Sequence, residues 1–379
     1  MKERELLTRT ECTAMRGIAI LGIMLHNYCH FVKGVAKESE YQFLEVRNDY
    51  FWQMLFNPDE WLPLHLLSYF GHYGVPVFLF LSGFGLVKKY EETPPDLPKG
   101  EEGLPGSPSV RHSPPLEGLG EVCRFLRYNY LKLLRLLVVG LVLFLMVDAV
   151  TPARFTYRWD NVIAQLLMYI NVLPEPDKII WPGIYWFFGL MMELYIVYRL
   201  LLYRKSSWWV VALIVVCWLL QAFCDPDGDT LNRLRYNFIG GMLPFGLGVL
   251  AGRGARSVEC GVRSENTPKA ESATEHISLH TPHSTLLAFL ILLLSICMVF
   301  AMCLSFQTWL WIPVLIIVGT VAMVKVMPGV VLKVFVWFGS ISAAMFVAHP
   351  IARKFFYPAA WRGDPYDGLI LYAGKPVSR

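Results

Sequence analysis

The sequence predicts an all-α, polytopic transmembrane helical bundle of about nine or ten membrane helices. The first reason is composition: 55% of the 379 residues are hydrophobic and only 17% are charged, against about a quarter charged in soluble domains. Mean hydropathy is +0.43. The second reason is arrangement. The apolar residues form continuous runs near the roughly 20 residues needed to cross a bilayer, and a β-barrel would instead show short alternating segments.

The runs, in order, are residues 14–31, 66–87, 129–148, 183–203, 208–223, 236–251, 285–304, 308–325 and 333–352. A tenth segment, 160–173, is short and reads as interfacial or re-entrant. The first run lacks a small-residue cleavage site and is read as a permanent helix rather than a removed signal peptide. Residues 1–379 form one membrane domain, interrupted by two stretches rich in Pro, Gly, Ser, Glu and Lys at about 91–121 and 254–284. Such compositions bury too little apolar surface to offset the entropy of ordering, so both are read as cytoplasmic linkers.

Basic residues set the orientation, because cytoplasmic loops are enriched in them. Lys2, Arg4 and Arg9, then Lys88, Lys89, Arg124 and Arg127, then Arg199, Arg204 and Lys205, then Arg253 and Arg256, then Lys325 and Lys333 fall on one side if 160–173 does not cross. That places the N-terminus in the cytoplasm. Arg353 and Lys354, at the opposite end of the last helix, run against the pattern and leave the side of the C-terminus open. The net charge of +4 gives no reason to expect nucleic acid. Eight cysteines are scattered without paired ligand spacing, so neither disulfide nor metal is assigned. His276, His280 and His283 in the second linker lack acidic or thiol partners and are read as incidental.

Ionisable groups inside a bilayer are functional candidates by default. The first helix carries Arg16 and His26, about 15 Å apart along the axis, with His30 one turn beyond His26. Glu193 lies about half-way along the fourth helix and is expected to orient His26, a pairing that fixes an imidazole tautomer and raises its basicity. His349 ends the last run. Ser82 sits near the cytoplasmic end of the second helix. Arg127, Lys132 and Arg135 at the mouth of the third are suited to phosphates, although positive-inside topology alone also accounts for them.

Four segments then carry a pattern in order: RGIAILGIMLH (16–26), GHYGVPVFLFLSGFGL (71–86), YWFFGLMMELY (185–195) and FGSISAAMFVAHP (338–350). In these the chain resembles the integral-membrane acyltransferase-3 family, which includes bacterial O-acetyltransferases of cell-surface polysaccharides. The resemblance implies a multi-pass protein of the bacterial cytoplasmic membrane that moves an acyl group, acetyl above all, from cytoplasmic acyl-CoA to a hydroxyl of an extracytoplasmic saccharide or lipid-linked sugar. It implies a catalytic role for His26 and a donor-end role for Arg16; with the polar residues above, the candidate site is then His26, Glu193 and His349 as catalytic residues and Arg16, Asn27, His72, Ser82, Arg127, Lys132 and Arg135 as substrate or donor contacts. Acyl-CoA is then a substrate, and no resident cofactor is expected.

The family usually places ten residues between the basic residue and the histidine, whereas nine separate Arg16 from His26 and Asn27 holds the usual position. On a regular helix Arg16 and His26 then point about 80° apart. Either the helix bulges or Arg16 faces another pocket. The competing function is a transporter or exporter of a polysaccharide or lipid-linked sugar, since buried His, Glu and Arg also build proton relays. Transporters often show internal repeats, and none is found.

Overall fold

A computed structural model describes residues 6–30, 32, 34–91, 119–151, 155–262 and 282–360, with side chains described to residue 254 and from 285 to 356 in the last two segments. Most of the expected linkers, and the side chains of His276, His280 and His283, lie outside the described residues. All regular structure among the described residues is helical.

The elements in order are α1 (Arg9–Cys29), α2 (Glu45–Phe56), α3 (Leu62–Phe70), α4 (Gly74–Tyr90), α5 (Leu119–Val150), α6 (Trp159–Leu166), α7 (Pro176–Ile179), α8 (Trp186–Val197), α9 (Ser207–Ala222), α10 (Asp229–Tyr236), α11 (Phe238–Val262), α12 (Pro282–Met302), α13 (Phe306–Trp309), α14 (Ile312–Val326), α15 (Gly329–Ser340) and α16 (Ser342–Ala360). Among the described residues, four helical stretches are long and apolar enough to cross a membrane: Leu62–Tyr90, Leu119–Val150, Gly183–Leu202 and Thr285–Met302. The α15–α16 pair passes the same test together but bends by 70° at its break, where the sequence reads as one run. Three shorter apolar helices, Ser207–Ala222, Phe238–Gly254 and Ile312–Val326, join them. Residues 160–173 form only short pieces, α6 and a 3-10 turn at Ile170–Val172.

The α1 helix is the least apolar of the long helices and also the most central. It packs on α3, α4, α14, α15 and α16. Burial inside protein is what allows an apolar helix to carry His26, because the imidazole meets protein groups rather than lipid. A capping box starts it: the Thr8 hydroxyl accepts from the Glu11 N–H and the Glu11 carboxylate accepts from the Thr8 N–H. By contrast α12, with 11% of its apolar window buried, leans on α14 and turns most of its surface outward.

Contacts sort into two faces. At the face where α1 begins, Lys325 meets Glu11 at 2.8 Å, Arg199 meets Glu121 at 3.2 Å, and Arg253 grips Glu91 through two nitrogens at 2.8 and 2.9 Å. At the far face, where α1 ends, Lys354 pairs with Asp148 at 3.0 Å and Arg353 donates to Asn27 at 3.2 Å. The two basic residues that run against the charge pattern are therefore taken up by intramolecular partners.

Helix α4 crosses α11 at close range. A methyl group added at Gly83 would strike the Phe245 carbonyl, and one added at Gly248 would strike that of Phe80. Small residues at such crossings let backbones approach and gain dispersion contact, the main source of helix association in lipid. Gly248→Val is therefore expected to destabilise the protein by about 1–3 kcal/mol or more, read as a lower midpoint of thermal unfolding in detergent. Gly85→Ala, where nothing lies within 4 Å, should leave that midpoint unchanged.

Candidate active site

The far end of α1 is drawn tightly against the junction of α3 and α4. Gly22 and Gly71 make this possible, since a methyl at Gly71 would collide with the Gly22 carbonyl and with His26 Cβ. At this distance His26 Nδ1 donates to the Ser68 carbonyl over 2.7 Å. A carbonyl can only accept, so the proton on the neutral ring belongs to Nδ1 and Nε2 is left with its lone pair.

The helix is interrupted after α3 by a 3-10 turn, Gly71–Tyr73, and this turn brings His72 beside His26. Their ring centroids lie 5.3 Å apart, and the His30 ring lies 5.1 Å from His26 on the other side. His26 and His72 are both buried. Among the described residues no group of three or more His, Cys, Asp or Glu has an arrangement that could hold a metal ion.

A buried carboxylate closes this cluster from the far face. Glu38, in the loop between α1 and α2, places Oε2 3.4 Å from His72 Nε2. Its Oε1 accepts from the Tyr73 hydroxyl at 3.1 Å and from the Trp309 indole N–H. The loop is strapped down by Arg235, whose Nε donates to the Glu40 carbonyl at 2.7 Å and whose guanidinium lies 4.3 Å over the Trp309 ring. Gln42 Nε2 donates to the Asp227 carbonyl at 2.5 Å, and the Phe43 N–H donates to the Pro226 carbonyl at 2.8 Å. Beneath the strap, Tyr41 stacks on Tyr236 at 3.9 Å and meets Trp186 edge-on at 5.6 Å.

Between these groups a cavity of about 40 Å³ reaches from Glu40 and Tyr41 inward to His72, room for a few water molecules. Burial pushes Glu38 up to about 8, opposed by the hydrogen bonds from Trp309 and Tyr73, and pushes Glu40 up to about 7.

The other expected residues fall into place less uniformly. Contrary to the expectation drawn from its depth, Glu193 is not bonded to His26. Its Oε2 accepts from the Phe238 N–H at 2.8 Å, so it satisfies an orphan donor at the start of α11 and meets that helix's dipole. The tautomer-fixing role falls to the Ser68 carbonyl. His349 is fully buried on α16, its Nδ1 donating to the Met345 carbonyl at 3.2 Å, and Arg353 one turn on exerts its charge on both His349 and His26. Asn27 accepts from Arg353 and donates to the Ile23 carbonyl at 2.9 Å.

Residues 9–29 are continuous α-helix, so the nine-residue gap is not absorbed by a bulge. Arg16 is exposed and its charge acts on Tyr195 of α8 rather than on the histidines. Ser82 donates to the Phe78 carbonyl at 2.8 Å, in the half of α4 remote from His26. Arg127, Lys132 and Arg135 are exposed and spread over about 140° of α5, so they do not form one cluster.

A different cleft opens at that face. It has about 390 Å³ of space and is lined by Lys89, Tyr90, Arg124, Tyr128, Arg199 and Tyr203 among others. Arg199 lies 4.3 Å over the Tyr203 ring, and Lys89 lies 4.6 Å from that of Tyr128. A single π-helical turn, Tyr198–Leu202, sets Arg199 there, and the buried Glu91 holds it by accepting from the Tyr198 hydroxyl at 3.0 Å. Glu38, Ser68, Trp309 and Arg235 are absent from the sequence-based site, as are Lys89 and Arg199. Nothing local in the sequence distinguishes Glu38 from its acidic neighbours Glu40, Glu45 and Asp49.

The two raised carboxylates give the strap a definite pH response. Unfolded, each loses its proton near pH 4.5, whereas folded they keep it to about 8 and 7. The folded strap thus binds more protons between those limits, and its stability falls as pH rises through them. Amide hydrogen exchange of residues 35–43, corrected for intrinsic pH dependence, should show protection that drops between about pH 5 and 8 and levels off above that, by about 1 kcal/mol or more.

Neither the curated proteins nor the solved structures include a match to this chain. A family model described as an acyltransferase domain does match, over residues 11–373. That span takes in the helices that carry both the His26 cluster and the opposite cleft, and the chain belongs to the acyltransferase-3 family.

Proposed function

We propose that this acyltransferase sits in the bacterial cytoplasmic membrane with its N-terminus in the cytoplasm, and moves an acyl group, acetyl above all, from cytoplasmic acyl-CoA to a hydroxyl of an extracytoplasmic saccharide or lipid-linked sugar. The observation that carries the reading is the hydrogen bond from His26 Nδ1 to the Ser68 carbonyl. It leaves Nε2 with its lone pair on a ring flanked by His30 and His72, and a neutral imidazole nitrogen of this kind is what removing a hydroxyl proton during acyl transfer requires.

The donor end of the reading rests on the cleft at the other face. Arg124, Arg199 and Lys89 supply cations for the phosphates of a coenzyme, and Tyr90, Tyr128 and Tyr203 supply flat surfaces for its base. The acyl arm then runs inward past Arg16 and Ser82 toward His26. At the far face the aromatic group of Tyr41, Trp186 and Tyr236 beside Arg235 and Glu40 matches the mixed stacking and hydrogen bonding that a sugar ring needs. The present cavity admits only water-sized groups, so the acceptor enters with displacement of the strap.

The test is acetyl incorporation from labelled acetyl-CoA in membranes containing the protein. His26→Ala should lower the rate by about 10²–10⁴-fold, and a fully active His26→Ala protein would sink the mechanism. Glu193→Gln keeps an acceptor for the Phe238 N–H and should stay within a few-fold of the wild-type rate. Arg124→Ala should raise KM for acetyl-CoA by about tenfold, a loss of one charge-assisted contact, with kcat little changed.

A further inference from the structure

General-base catalysis leaves a proton on His26 after each transfer, and the surroundings of that ring are strongly asymmetric. Toward the N-terminal face, α1 offers only Gly17 to Leu25, all of them apolar. The stretches 74–81 of α4 and 342–348 of α16, which border α1, carry no titratable side chain either. Toward the far face two imidazoles lie beside it, His30 at 5.1 Å and His72 at 5.3 Å, centre to centre, the latter a spacing that one hydroxyl or water can bridge. Beyond it Glu38 Oε2 lies 3.4 Å from His72 Nε2. A small cavity lined by His72, Glu40 and Tyr41 lies beside this pair and continues along α4 to Leu79.

We propose that Glu38, acting through His72, is the positioning residue that carries the proton from His26 to the outer side, so that each acyl transfer releases a proton at the far face. The proposal rests on the acyl-transfer reading above. In the transfer itself the acceptor O–H bond breaks and its proton goes to His26 Nε2. The acceptor oxygen forms the new ester bond, the thioester C–S bond breaks, and the electron pair leaves on the coenzyme sulfur, which takes a proton from water on the donor side. His26 then passes its proton through His72 to Glu38 Oε2, and Glu38 delivers it to the outer water. One proton is consumed on the donor side and one appears on the other.

Glu38 suits this task for two independent reasons. Its Oε1 is fully engaged by Tyr73 and Trp309, which holds the carboxyl group rigid while Oε2 stays without a hydrogen-bonded partner. The groups facing it are His72 and Tyr73 from the α3–α4 junction, Tyr69 from α3, Cys303 after α12, Arg235 from α10 and Glu40 from its own strap. Burial among them brings its proton affinity near neutrality, so that it can both take up and give up a proton.

The experiment uses the full chain in phospholipid vesicles that hold a trapped pH dye on the far-face side, with acetyl-CoA outside and methyl α-glucoside as the acceptor hydroxyl. Its ester product adds no acid of its own. Coenzyme release by the wild type reports on acyl transfer, and dye acidification in step with that release reports on the proton route. Glu38→Gln preserves the acceptor for Tyr73 and Trp309 but cannot carry the proton. It should lower kcat by about tenfold or more without changing KM for acetyl-CoA, and abolish the acidification, with partial rescue by Glu38→Asp. A wild type that releases coenzyme without acidifying the far side, or a Glu38→Gln protein with unchanged kcat and acidification, overturns the route while leaving acyl transfer standing. A wild type that releases no coenzyme overturns both.

Discussion

The far-face cluster depends on the close approach of α1 to the α3–α4 junction at Gly22 and Gly71. Only there does the backbone of one helix come near enough for His26 to reach the Ser68 carbonyl. That carbonyl is available because α3 gives way to a 3-10 turn at Gly71, and the same turn swings His72 next to His26. One pair of glycines thus fixes the tautomer of one histidine and the location of another. A side chain at Gly71 would separate the helices and undo both.

The second constraint is that buried polar groups must be satisfied or they destabilise the fold. Glu38 is met by Tyr73 and Trp309, Arg235 by the Glu40 carbonyl and the face of Trp309, and Gln42 and the Phe43 N–H reach the α9–α10 loop. These bonds tie one irregular segment to the α3–α4 junction, the α9–α10 loop, α10 and α13, and opening that segment would break several of them together.

Helix existence and order were legible in the sequence because lipid enforces a long apolar run for each crossing, and that signal survives without tertiary context. The 333–352 run reads as continuous because apolarity carries no record of the 70° bend after Ser340. His26 stood out as an imidazole in an apolar helix. Its partner did not, since a backbone carbonyl leaves no mark in a sequence, and depth alone pointed to Glu193, whose carboxylate the α11 N-terminus holds instead. The basic residues of α5 were visible as charges, but which of them face a cleft depends on helix phase and on a π turn in α8. Arg124 and Arg199 share a cleft only after folding.

The nine-residue interval between Arg16 and His26 acquires a structural meaning from the regularity of α1. With no bulge, the two side chains leave the helix about 80° apart and about 15 Å apart along it, and everything between them is apolar. Arg16 lies open toward the N-terminal face, and His26 is buried against the far one. A single polar pocket spanning both would place charge across the centre of a bilayer, which is strongly unfavourable. Two polar ends separated by an apolar stretch of α1 avoid that.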